Sequence, residues 1–151
     1  MTFAESYLLR RGRWSEPGRR YLLTTVTHQR EALFGQLHTA RIVVQQLRLS
    51  DQEQDCQSLA WVVMPDHFHW LIELRQVTLK TLMRRLKSRS TCRVNLTGNR
   101  QGRLWQHGFH DRALRREDDI RAVARYLVAN PLRAGLVEKL GDYPLWDAIW
   151  V

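Results

Sequence analysis

Two cysteines in 151 residues, Cys56 and Cys92, stand far apart and outside any C-x-x-C spacing. That excludes a zinc knuckle built on paired thiols and a fold stapled by disulfides. Lysine is almost as scarce: Lys80, Lys87 and Lys139 are the whole complement, so 21 of the 24 basic residues are arginine. No stretch approaches the roughly 18 consecutive apolar residues of a membrane-spanning helix, and the arginine-bearing start lacks the apolar run of a secretory signal. A cytoplasmic location is therefore expected. Internal repeats, low-complexity tracts and Pro/Gly/Ser-rich linkers are also missing, which reads as one domain over 1–151 with a basic leader over 1–20.

What is present is charge of one sign. Twenty-four basic residues against 15 acidic ones leave a net charge of +9, while a 44% hydrophobic content still allows a real core. A GC-rich coding sequence would favour arginine over lysine without any functional cause. The excess nevertheless suits a polyanion, because the planar guanidinium grips phosphate with two parallel hydrogen bonds and can read O6 and N7 of guanine. Nucleic acid is the partner this balance suggests.

The β-branched and aromatic run over 21–27 predicts a first strand. Apolar residues at helical spacing predict a helix over 36–49, followed by a polar loop over 50–57. Apolar residues 59–64, the turn signal Pro65-Asp66 and the alternating segment 67–74 predict a hairpin. Leu79, Leu82, Met83 and Leu86 recur at i, i+3, i+4, i+7 within a helix over 78–93, with Lys80, Arg84 and Lys87 forming a basic stripe on another face. A loop over 97–103, a short strand over 103–109 and a last helix from Glu117 to before Pro131 complete the order. Such an order predicts an α+β fold, a mostly antiparallel sheet with packed helices and a ferredoxin-like core.

Side chains two apart in a strand share a face, so His67 and His69 project together and could share one metal ion. A strand whose polar face happens to carry two histidines would look the same. Tyr126 and Asn130, four apart on the last helix, present a phenol and an amide on one side. Tyrosine, with a pKa of about 10, attacks only with help from a metal or base. The plainer readings are a core tyrosine and a helix-ending asparagine before proline. His107 and His110 could extend the histidine pair to a four-histidine zinc centre or contact phosphate. Trp105, Phe109 and Trp14 could stack on unpaired bases or pack in the core.

These residues fall into a longer pattern. Arg10-Arg11-Gly12, Pro17-Gly18, residues 21–27 with Arg30 and Phe34, Met64-Pro65-Asp66-His67-Phe68-His69, residues 79–88, Leu104-Trp105-Gln106, Asp111 and Tyr126-Leu127-Val128-Ala129-Asn130-Pro131 leading into Arg133-Ala134-Gly135-Leu136-Val137 occur in order over nearly the whole chain. In this the chain resembles the REP-associated tyrosine transposases, a bacterial branch of the single-tyrosine HUH transposases. The resemblance implies one HUH tyrosine transposase domain with Tyr126 as nucleophile, His67 and His69 as metal ligands and Asn130 as the third ligand. Related insertion-sequence transposases commonly carry Gln in the place of Asn130.

It further implies Mg²⁺ or Mn²⁺ as cofactor and a 5′-phosphotyrosine intermediate in cutting and rejoining single-stranded DNA hairpins of repetitive extragenic palindromes. The protein would act as a monomer or homodimer in the nucleoid. Arg10, Arg11, Arg13, Lys80, Arg84 and Lys87 are expected on the DNA backbone, with Trp105, His107 and His110 as further DNA contacts and a steep salt dependence of affinity. Two rivals stand beside this reading: a non-catalytic DNA-binding regulator on the same fold, and a metal-dependent nuclease that uses water.

Overall fold

A computed structural model describes residues 15–150, so Arg10, Arg11, Arg13 and Trp14 lie outside the described residues. The elements run β1 (Arg20–Val26), α1 (Leu37–Gln52), β2 (Cys56–Met64), β3 (His67–Leu74), α2 (Leu79–Thr97), β4 (His110–Leu114), α3 (Glu117–Val128), α4 (Asn130–Arg133) and β5 (Trp146–Ala148). The sheet has the order β4-β1-β3-β2-β5, and every neighbouring pair is antiparallel. Its first four strands and first two helices form the split βαβ arrangement of a ferredoxin-like core, so the expected α+β class holds.

Strand parity divides the protein into two layers. Along β3, Phe68, Trp70, Ile72 and Leu74 turn into a core shared with Val43 and Leu47 of α1 and Leu82 and Leu86 of α2. Burying each such side chain stabilises the fold by about 1.5–3 kcal/mol. Trp70 can be fully buried there because its indole N–H donates to Ser58 Oγ at 2.8 Å. The alternate residue Leu71 faces the other way, into a smaller core with Leu59 and Val62 of β2 and Ile120, Ala124 and Leu127 of α3. His67 and His69 share that second face with Leu71.

Local signals set the helix ends. Thr78 caps α2 by accepting a hydrogen bond from the Thr81 amide at 3.1 Å, and the helix stops at Gly98. Glu117, Asp118 and Asp119 fill the first turn of α3, where negative charge offsets the helix dipole.

The structure departs from sequence expectation at four places. The polar stretch 50–57 is mostly element rather than loop: α1 continues to Gln52 and β2 begins at Cys56. Its carboxylates serve as fixed acceptors, Asp51 for the Ser58 amide at 2.5 Å and Asp55 for Arg85 at 3.0 and 2.9 Å. The strand expected over 103–109 is displaced to His110–Leu114, because Leu104 and Trp105 plug the core and only Trp105 bridges to Thr27. Pro131 does not end the helical path but lies in the first turn of α4, where a missing N–H costs nothing. The three-residue edge strand β5 was not expected at all. Among the described residues, no helix is long and apolar enough to cross a membrane.

Candidate functional site

The tight turn at Pro65-Asp66 ends β2 and starts β3 with His67, which fixes the two imidazoles on the α3 side of the sheet. Their ring centroids lie 5.0 Å apart with planes at 78°. Each ring is held from behind through Nδ1. His67 Nδ1 lies 2.7 Å from Asp66 Oδ1, and His69 Nδ1 lies 2.8 Å from Thr24 Oγ1. Because the Asp66 carboxylate can only accept, His67 Nδ1 carries the proton and Nε2 is left to offer to a ligand, while the Thr24 hydroxyl engages the same nitrogen of His69 and leaves its Nε2 unengaged among the described residues.

Asp66 is itself anchored. Arg30 donates to its Oδ2 at 3.2 Å, while the Thr27 amide donates to its backbone carbonyl at 2.9 Å. Partial burial pushes the Asp66 carboxyl up, but the His67 hydrogen bond and the charges of His67 and Arg30 together hold it below the usual carboxylate range. His69 is held down to about 4 by burial, then by the charges of His67 and Arg133, so its ring is neutral at physiological pH.

The second half of the site comes from the C-terminal end of α3. Ala129 separates α3 from α4 yet keeps right-handed helical angles (φ −81°, ψ −1°), so Tyr126 and Asn130 retain their shared side. Tyr126 is 67% exposed, which rules out a core role. One residue contacts both of these side chains: the Arg133 guanidinium stacks 3.6 Å from the Tyr126 ring centroid and donates to Asn130 Oδ1 at 3.3 Å, and its charge contributes to holding the His69 pKa down. Among the described residues, no group of three or more His, Cys, Asp or Glu side chains is spaced to hold a metal ion. A cation here would draw its third protein ligand from an amide. The donor set fits that role, since two imidazoles backed by a carboxylate and a hydroxyl resemble the supported histidines of divalent-metal sites.

The remaining sequence candidates fall elsewhere. His110 is on the same sheet face as His69, but Thr24 stands between them in the row His110–Thr24–His69, two strand spacings or about 10 Å across. His107 is exposed beside α2 in an open cavity of about 600 Å³ with Lys87, Ser88, Thr91 and Arg103. The four histidines therefore do not converge, and the zinc-centre reading falls. Trp105 is 3% exposed, packs against Phe34 and Phe68 at 5.3 Å, and donates its N–H to Ser90 Oγ at 2.9 Å. With the ring enclosed, it has no face for a base, and the stacking assignment is corrected. Phe109 is buried as well.

Lys80 and Arg84 are exposed on α2, in the layer opposite the histidine pair, whereas the Lys87 ammonium donates to the carbonyls of Gln106 and Gly108. The supporting residues Thr24, Asp66 and Arg133 were missed by residue-type reasoning. Arg133 was within reach of it, because i+3 from Asn130 and i+7 from Tyr126 put all three on one helical side.

Comparison with known proteins gives a consistent result. The family model described as Transposase IS200 like matches residues 18–130. Over 87 residues the chain is 31% identical to a REP-associated tyrosine transposase of Escherichia coli, covering 56% of this chain and 50% of the relative. A Haemophilus influenzae relative of the same designation is 27% identical over 99 residues, covering 58% of this chain and 56% of its own length. The chain thus spans about half the length of the curated relatives it matches. Among solved structures, a REP-associated tyrosine transposase bound to a REP hairpin superposes with a TM-score of 0.75 at 21% identity, over 89% of this chain and 79% of the other.

Proposed function

The chain belongs to the IS200-like transposase family, and on that premise we propose that it cuts and rejoins single-stranded DNA next to a hairpin, with Tyr126 as nucleophile. The observation that carries the reading is that the helix packed on the sheet face of His67 and His69 has Tyr126 in its last turn and leads into Asn130, the two joined to one another by Arg133. The exposed Tyr126 oxygen attacks the scissile phosphorus, forming a tyrosyl ester as the bond to the 3′-oxygen breaks. The phenolic proton leaves to solvent, and the released 3′-oxygen takes one up. One phosphoester replaces another, so a second 3′-hydroxyl can reverse the step and join strands without a nucleotide cofactor.

His67, His69 and Asn130 would hold Mg²⁺ or Mn²⁺, which when bound supplies Lewis-acid polarisation of a non-bridging phosphate oxygen. Asp66 and Thr24 keep the two imidazoles in register, and the burial of His69 keeps its ring neutral. A hairpin partner is supported by the fold-level match to a transposase bound to a REP hairpin.

The test is covalent capture. Labelled single-stranded hairpin DNA with Mn²⁺ should give a protein–DNA adduct with the native chain and none with Tyr126→Phe, while hairpin affinity stays within about threefold. Adduct retained in Tyr126→Phe would refute the assignment. Cleavage without adduct would support the water-using nuclease, and binding without cleavage the regulator.

A further inference from the structure

We propose that Arg133 is the positioning residue that sets the nucleophile and the third ligand relative to one another and meets the phosphate between them. This role rests on the function proposed above. It follows from how a guanidinium divides its surface. The flat face of Arg133 lies 3.6 Å from the Tyr126 ring centroid, a stacking and cation–π contact that restrains the ring without consuming an N–H. Its edge donates to Asn130 Oδ1 at 3.3 Å, which selects the amide orientation that leads with oxygen and leaves the second lone pair of that oxygen for a ligand.

Of five N–H donors, one is thereby used on Asn130. Arg133 is exposed, so the remaining edge faces the solvent from which DNA arrives. A phosphate entering between Tyr126 and His69 would meet a planar fork suited to two of its oxygens. The location adds weight: α4 is a single turn begun by Asn130-Pro131, so the backbone carrying Arg133 is tied directly to that carrying Asn130. Lysine cannot reproduce the arrangement, because a compact ammonium can stack or donate but cannot hold a ring with its face and an amide with its edge.

Arg133→Ala and Arg133→Lys should be compared with the native chain and with Arg48→Ala, which removes an exposed charge from α1 on the opposite layer. The expected result is hairpin affinity within about threefold in all variants, but single-turnover adduct formation slowed about 10²–10³-fold in Arg133→Ala, the usual loss of a positioned donor. Arg133→Lys should recover less than a tenth of the native rate, and millimolar guanidinium, but not equal sodium, should partly rescue Arg133→Ala.

A readout without DNA or metal is the Arg133 Nε–H resonance, shifted upfield by the Tyr126 ring, kept there in Tyr126→Phe and returned to the ordinary arginine position in Tyr126→Leu. An Arg133→Ala rate within threefold of native, or an Arg133 resonance unchanged by Tyr126→Leu, overturns the proposal while leaving the phosphotyrosine reading intact. Absence of adduct from the native chain sinks both.

Discussion

At the scale of single residues, the Asp66 carboxylate can only accept, so it fixes the proton of His67 on Nδ1 and leaves Nε2 to be offered outward, while the Thr24 hydroxyl holds His69 by the same ring nitrogen. Losing such a supporting partner typically costs 10–100-fold in metal affinity. Asp66→Ala should therefore raise the Mn²⁺ concentration for half-maximal adduct formation by about tenfold or more, with hairpin binding in chelator little changed. An unchanged metal requirement would show that His67 needs no orienting carboxylate. His69 carries its own pH signature. Above about pH 6.5 neither the folded nor the unfolded protein protonates it, and its contribution to stability is complete. As pH falls toward 4 the unfolded chain gains a proton that the folded ring, held at about 4, does not, so stability declines across that window. In chelator, urea unfolding at pH 5 should reveal a loss of up to about 2 kcal/mol relative to pH 7 that His69→Gln largely lacks.

Among the elements, α2 acts as a strut across one layer. Arg85 holds the buried Asp55 at the start of β2, Ser90 accepts from Trp105, and Lys87 pins the 106–108 loop. Replacing Arg85 by Met would leave Asp55, 3% exposed, without its charged partner. The cost should be about 2 kcal/mol in chemical denaturation, below the 3–5 kcal/mol of a fully buried pair because Arg85 is 40% exposed at its side chain. Adduct formation at saturating DNA should not change. The turn and β3 were legible to the residue, since Pro65-Asp66 breaks two apolar runs and the alternation from His67 onward has one reading, whereas β2 starts at Cys56, three residues before its expected apolar run. The displaced β4 was not, because Leu104 and Trp105 are apolar for tertiary reasons that a strand pattern imitates. Lys87 looked like part of a phosphate-facing stripe for a similar reason: helical spacing shows which side a residue occupies, not what folds against it. Three residues of β5 are too few to carry a period.

Across the whole molecule, the net charge of +9 is spread over both layers, but only one carries the histidine pair. Arg112 pairs with Leu22 on that layer and is exposed, whereas Lys80 and Arg84 lie on the other side of the sheet. The connection from β4 to α3 is just Arg115-Arg116. Fully extended, two residues bridge only about 7 Å, and α3 is already seated on its own sheet through Ile120, Ala124 and Leu127. Such a tether is too short to lend the helix to a neighbouring copy, so each polypeptide should be catalytically self-sufficient. Mixing an inert His69→Ala chain with an inert Tyr126→Phe chain should restore no strand joining, and recovered activity in that mixture would mean the phenol can serve in trans.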